Sequence, residues 1–221
     1  MSHHFIDQLE DLKSRLARMT AMVQLCVEQA VEAVFETNAT VAQKVIDGDA
    51  NIDAEEVKVE KAAIDLLALH QPAAGDLRLI TTIIKANGDF ERIADCAVNI
   101  AQRVLPITNA HDESFKLPTD LRVMANSVVA TLRDTIKAFN LSDEPLARKV
   151  LKGDDVVDAL YHQIVQDMLT LMQSDSQQAD MDLSTIMIAK NLERIADHCT
   201  NIAENVVYVQ SGRIIRHLHT V

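Results

Sequence analysis

Apolar residues along this chain recur three and four positions apart over long stretches, the spacing of one face of an α-helix. Val23, Val27, Ala30, Val31 and Val34 mark that face in a first helix predicted from about Phe5 to Glu36. Thr37 and Asn38 follow as cap-forming residues, and a second helix is predicted over roughly 39–70. It ends at Gln71-Pro72, because the residue before a proline is pushed out of the α region. A third helix starts near Ala73 and runs to about Leu105, where Pro106 is expected to stop it. A loop from Pro106 to Pro118 leads to three further helices near 119–140, 144–173 and 180–210. No helix is apolar on all sides, so each must bury one stripe against its neighbours. Three such helices make the smallest closed bundle.

The chain is duplicated. Phe90-Glu91-Arg92-Ile93-Ala94-Asp95-Cys96-Ala97-Val98-Asn99-Ile100-Ala101 aligns with Leu192-Glu193-Arg194-Ile195-Ala196-Asp197-His198-Cys199-Thr200-Asn201-Ile202-Ala203, identical at eight of twelve positions. Ordinary composition gives about one identity by chance. Upstream, Lys44 to Asp49 with Ile52-Asp53 pairs with Lys149 to Asp154 with Val157-Asp158. The expected architecture is therefore all-α: two tandem, sequence-related three-helix bundles over 1–108 and 119–221, joined by a linker at 109–118. Gly48 and Gly153 recur inside helical patterns, each costing about 1 kcal/mol relative to Ala. Their recurrence predicts a kink or close packing.

Composition supports helices. Gly (5) and Pro (4) are scarce and aromatics make up 3% of 221 residues, too few for a turn-rich β fold. Lys and Arg number 21 against 33 Asp and Glu, a net charge of −12. An acidic surface repels phosphate backbones and anionic lipid, which argues against nucleic-acid binding. Three cysteines outside any CxxC suit a reducing compartment. The N-terminus lacks the basic and apolar runs of a signal peptide, and no apolar segment nears the ~20 residues of a membrane span. A cytoplasmic location without membrane insertion is expected.

Candidate chemistry lies in paired carboxylates four residues apart, one helical turn above each other. With Phe90 at zero, Phe90, Ile93, Ala94, Ala97, Ile100, Ala101 and Val104 spread over about 120° on the core side. Glu91 and Asp95 lie beside that stripe, as do Glu193 and Asp197 in the second unit. The second helices carry Asp49 with Asp53 and Asp154 with Asp158. Like charges at this spacing destabilise a helix by a few tenths of a kcal/mol (roughly) unless a cation sits between them. Neighbouring second and third helices would gather four carboxylates per unit, suited to Fe, Mn, Mg, Ca or Zn. Acidic rows also serve as solvated faces, and Arg92, Arg103 and Arg194 are available to pair with them; Glu56 and Glu60 read as such a face.

His198 points about 100° away from Asp197 and reads as a partly exposed or capping residue. Cys199 falls on the core stripe as a small apolar residue. Cys26 carries no readable chemistry, and the tail His217-Leu218-His219 reads as a frayed terminus rather than a metal site. No Glu-x-x-His, phosphate-cradling Gly-rich loop, nucleophile elbow or zincin motif occurs, so catalysis has little support.

Leu192 to His198 with Asn201-Ile202-Ala203-Glu204, Gln71-Pro72 with Asp76-Leu77-Arg78, and Gly48-Asp49 with Ile52-Asp53 together resemble the signature of the PhoU family over nearly the whole chain. That resemblance implies a cytoplasmic negative regulator of the phosphate-starvation response. It implies a link between PstB, the ATPase of the phosphate ABC transporter, and the sensor histidine kinase PhoR, and a homodimer. It also implies metal (Fe, Zn, Mn or Mg) on Asp49, Asp53, Glu91 and Asp95, then Asp154, Asp158, Glu193 and Asp197. Cys96 and Gln102 stand where the family usually has histidine and glutamate, which makes the second unit the more complete site. A carboxylate-cluster metal store or metal-dependent enzyme is the rival class, and an inert helical spacer a third.

Overall fold

The structure, a computed structural model, describes residues 3–110, 116–174 and 178–213, without the side chains at 109 and 110. The tail His217-Leu218-His219 and positions 111–115 of the 109–118 linker lie outside the described residues. Among those residues there are seven α-helices and no strand: α1 (His3–Phe35), α2 (Ala39–His70), α3 (Ala74–Ala110), α4 (Thr119–Leu141), α5 (Glu144–Lys152), α6 (Asp154–Ser174) and α7 (Ala179–Ser211). The first three close one bundle. The last four close the other, whose second rod is broken into α5 and α6.

Local chemistry explains most of the ends. The Asn38 side chain caps α2, accepting from the backbone N–H of Thr40 and Val41 at 3.1 Å. Gln71 turns left-handed at φ 43° and donates its N–H to Leu67 O, and Pro72 prevents further helix. The Asp143 side chain accepts from Leu146 N at 3.0 Å, with Pro145 in the first turn of α5. Gly212 closes α7 at φ 68°, a conformation that favours glycine.

Two expectations are corrected. Pro106 does not stop α3, which continues to Ala110. Proline removes one N–H, whose acceptor one turn back would be Gln102; Gln102 and Pro106 are both exposed, so water can solvate that carbonyl. Ile107 packs beyond the proline against the core, which rewards the extra turn. The two glycines also part company. A Cβ at Gly48 would meet nothing within 4 Å, and α2 runs on unbroken. At Gly153 the helix is interrupted, with φ −85° and ψ −10°.

The core follows the predicted stripes. Phe90, Ile93, Ala94, Ala97, Ile100, Ala101 and Val104 are all buried, as are Val23, Val27, Ala30 and Val34. The units lie side by side, with α3 packed on α7 and α1 on α4. Phe90 meets Phe139 edge-on at 6.1 Å between ring centres, Arg122 lies 4.2 Å above the Phe35 ring, and Arg133 donates to Glu28 across the units. The third helices are therefore central, each with a bundle core on one side and the other unit on another.

Candidate functional site

Each acidic cluster is built where a second helix faces a third. In the second unit, α6 begins at Asp154 and raises Asp158 one turn later; α7 carries Glu193 and Asp197 opposite. Oxygens of Asp154, Asp158 and Asp197 lie within 4.8 Å of one another. Burial, then the charges of Asp158, Asp197, Asp155 and Glu193, push Asp154 up to about 6. Burial, followed by Glu193 and Asp158, also raises Asp197 above its ordinary value. Glu193 is held differently: both its oxygens accept from Lys190 Nζ, at 2.8 and 2.7 Å.

The first unit repeats the plan more loosely. Burial raises Asp49 above its ordinary value, helped by Asp53 and by Asp95 from α3. Glu91 is raised by burial and by Asp95, Asp53 and Glu56, against the opposing charge of Arg92. Arg92 donates to Asp95 at 2.9 Å and reaches Glu91 at 3.3 Å, so one of the three arginines read as candidate partners does pair. Among the described residues, the second unit alone brings three ligand-type side chains within that 4.8 Å spacing.

Glu60 is exposed, as a solvated face requires, but Glu56 is not simply part of that face. Asn87, fully buried, donates its side-chain amide to both the backbone and side-chain oxygens of Glu56 at 3.0 Å. Glu56 is thus positioned beside Glu91 as a fifth carboxylate of the first cluster.

One aspartate oxygen in each cluster is buried without a hydrogen-bond partner: Oδ1 of Asp49 and Oδ1 of Asp154, at equivalent positions of the repeat. A buried carboxylate oxygen without a donor is costly. A hard cation held by Asp154, Asp158 and Asp197, or by Asp49, Asp53, Glu91 and Asp95, fits that all-oxygen donor set.

A polar seam between α3 and α7 escapes a reading based on one apolar stripe. Thr82, Asp89 and Cys96 recur every seven residues on α3, and Ser184, Asn191, His198 and Asn205 do so on α7. All are buried or nearly so. His198 Nδ1 lies 3.0 Å from Asp89 Oδ1, which joins the two units rather than capping a helix. A sevenfold polar repeat beside the apolar one was the available signal. The cysteines are free and buried, with burial pushing Cys26 and Cys199 up to about 12 and Cys96 up to about 11. All three are inert thiols, Cys199 on the core stripe as expected.

This pair of bundles has known counterparts. The PhoU domain family matches the chain twice, at residues 16–104 and 121–206, once per unit. The chain belongs to the PhoU family. It is 37% identical over 212 residues to a "Phosphate-specific transport system accessory protein PhoU homolog" of Aquifex aeolicus, covering 96% of this chain and 95% of that protein. It is 31% identical over 218 residues to the accessory protein PhoU of Escherichia coli, covering 99% and 90%. The crystal structure of PhoU from Pseudomonas aeruginosa superposes with a TM-score of 0.91 at 33% identity, covering 95% of this chain and 100% of that one. The PhoU family is one of accessory and regulatory proteins, and no described helix here is long and apolar enough to cross a membrane.

Proposed function

We propose that this protein is an accessory regulator of phosphate-specific transport, acting as a cytoplasmic adaptor that restrains phosphate uptake and phosphate-starvation signalling. The observation that carries the proposal is the match, over 96–99% of the chain, to relatives named as accessory proteins of that transport system. The partners are the transporter ATPase PstB and the sensor kinase PhoR, bound by a homodimer through acidic helical faces. A net charge of −12 and carboxylate pairs recurring at matching positions of both units support docking on basic surfaces.

Asp49, Asp53, Glu91 and Asp95, and Asp154, Asp158, Glu193 and Asp197, are the residues to hold Fe, Zn, Mn or Mg. The unpartnered Oδ1 atoms of Asp49 and Asp154 support that assignment. A bound cation supplies charge neutralisation and a coordination position for a partner's oxygen ligand. No catalytic role is assigned to any residue.

The test is a pull-down of PstB and PhoR by the wild-type protein and by Glu193→Lys/Asp197→Lys. Loss of capture by the charge-reversed, folded variant is expected. Equal capture of both partners would refute docking through this face.

A further inference from the structure

Two of the positions at which the units differ meet beside Glu193. Lys190 Nζ binds both oxygens of Glu193 and lies 5.2 Å from the centre of the Tyr161 ring on α6. In the repeat, Lys190 stands where the first unit has Gly88, and Tyr161 stands where it has Glu56. The second unit has thus replaced a carboxylate by an aromatic ring, and an empty position by a cation that rests on that ring.

We propose that Lys190 is a tethered counter-ion that holds Glu193 out of the ligand set and thereby sets how tightly the second cluster binds a divalent cation. The proposal rests on the cation-binding function given above and adds the residue that controls it. Its geometry is direct. Three carboxylates converge within 4.8 Å, and the fourth motif member, one turn before Asp197 on the same helix, has both oxygens engaged by an ammonium group instead. The Tyr161 ring gives that ammonium a second anchor, because a cation is attracted to an aromatic face. The charge of Lys190 also reaches Asp197. A dication entering among Asp154, Asp158 and Asp197 therefore meets a fixed positive charge, and it gains Glu193 as a fourth carboxylate only by displacing that charge.

The experiment uses the full chain with the first cluster silenced by Asp49→Asn and Asp95→Asn. Manganese(II) is titrated and its free concentration read by electron paramagnetic resonance. In this background Lys190→Met is expected to bind Mn2+ about tenfold tighter than Lys190, from removal of one nearby charge and release of one ligand. Lys190→Arg, which keeps the charge, should match the parent. Adding Glu193→Gln to Lys190→Met should cancel the gain, because the effect runs through Glu193. Circular dichroism checks that each variant is folded. Unchanged or weaker Mn2+ binding by folded Lys190→Met overturns the role of Lys190 while leaving cation binding intact. Absence of Mn2+ binding in the unsilenced wild type, the background and the variants alike overturns both.

Discussion

Around α2 and α3, Asp49, Asp53, Glu56, Glu91 and Asp95 gather with Arg92, whose side chain is 58% exposed, as the cation beside them. Around α6 and α7, Asp154, Asp158 and Asp197 draw together while Lys190 occupies Glu193. The motif plan is common, with the same aspartate pair and the same Glu-x-x-x-Asp opposite, although the helix breaks at Gly153 and not at Gly48. The balancing charges are not shared. Duplication kept the four motif carboxylates of each cluster, including a buried aspartate oxygen without a donor in both, and let Glu56 and the counter-ions diverge. Packing constrains which side chains meet, whereas charge balance at a half-exposed site tolerates several solutions.

The comparison breaks first in the cores. Phe90→Ala should cost about 4 kcal/mol and Leu192→Ala about 3, since both are fully enclosed and each leaves a cavity; urea denaturation reads both. A negligible cost for either would mean that the bundles are not built alike.

The seam comes next. Asn191 and Asp89 are repeat partners, but Asp89 has His198 and Asn191 is 5% exposed with Oδ1 unpartnered. Asn191→Asp should therefore destabilise by about 2 kcal/mol, a buried charge with no assigned partner. Asp89→Asn should cost about 1 kcal/mol, as one hydrogen bond to the imidazole loses its charge. Denaturant midpoints at pH 7 give the ranking, and the reverse order would contradict the pairing.

The clusters themselves come third, with a pH signature. Asp154 titrates near 6 when folded, against an ordinary value of 3.8. Between those values the native state keeps a proton that the unfolded chain releases. The stability due to that proton is complete below pH 3.8 and lost as pH rises through 6. Asp154→Asn should therefore stabilise at pH 7 by about 1 kcal/mol after discounting for solvent screening, with the gain shrinking as pH falls toward 4. A gain independent of pH would point to some cause other than charge. Smallest of all, Lys149→Ala at the exposed Asp134 pair should change stability by no more than about 0.5 kcal/mol.

Much of this was legible in the sequence, for identifiable reasons. The apolar stripes of α1 and α3 predicted the buried faces because helical spacing maps directly onto burial. Gln71-Pro72 located the end of α2 because proline's restriction is local. Pro106 misled for the complementary reason: a solvent-facing proline costs one hydrogen bond, and the burial of Ile107 offsets it from outside the local window. The seam was missed because Asp89 and His198 look like surface residues until a second bundle covers them. Lys190 stood three residues before Glu193, but its pairing with both oxygens and its seat on Tyr161 depend on side-chain direction and on α6, and spacing supplies neither.

The proposed cation sites are the two carboxylate clusters kept through duplication, the second more tightly gathered than the first. Crystals of the full chain soaked in manganese(II) and measured at the manganese absorption edge test this assignment most directly. Anomalous peaks between α2 and α3 at Asp49 and Asp95, and between α6 and α7 at Asp154, Asp158 and Asp197, are the expected result. Peaks only on unrelated surface carboxylates, or none, would show that these acidic faces hold no ion.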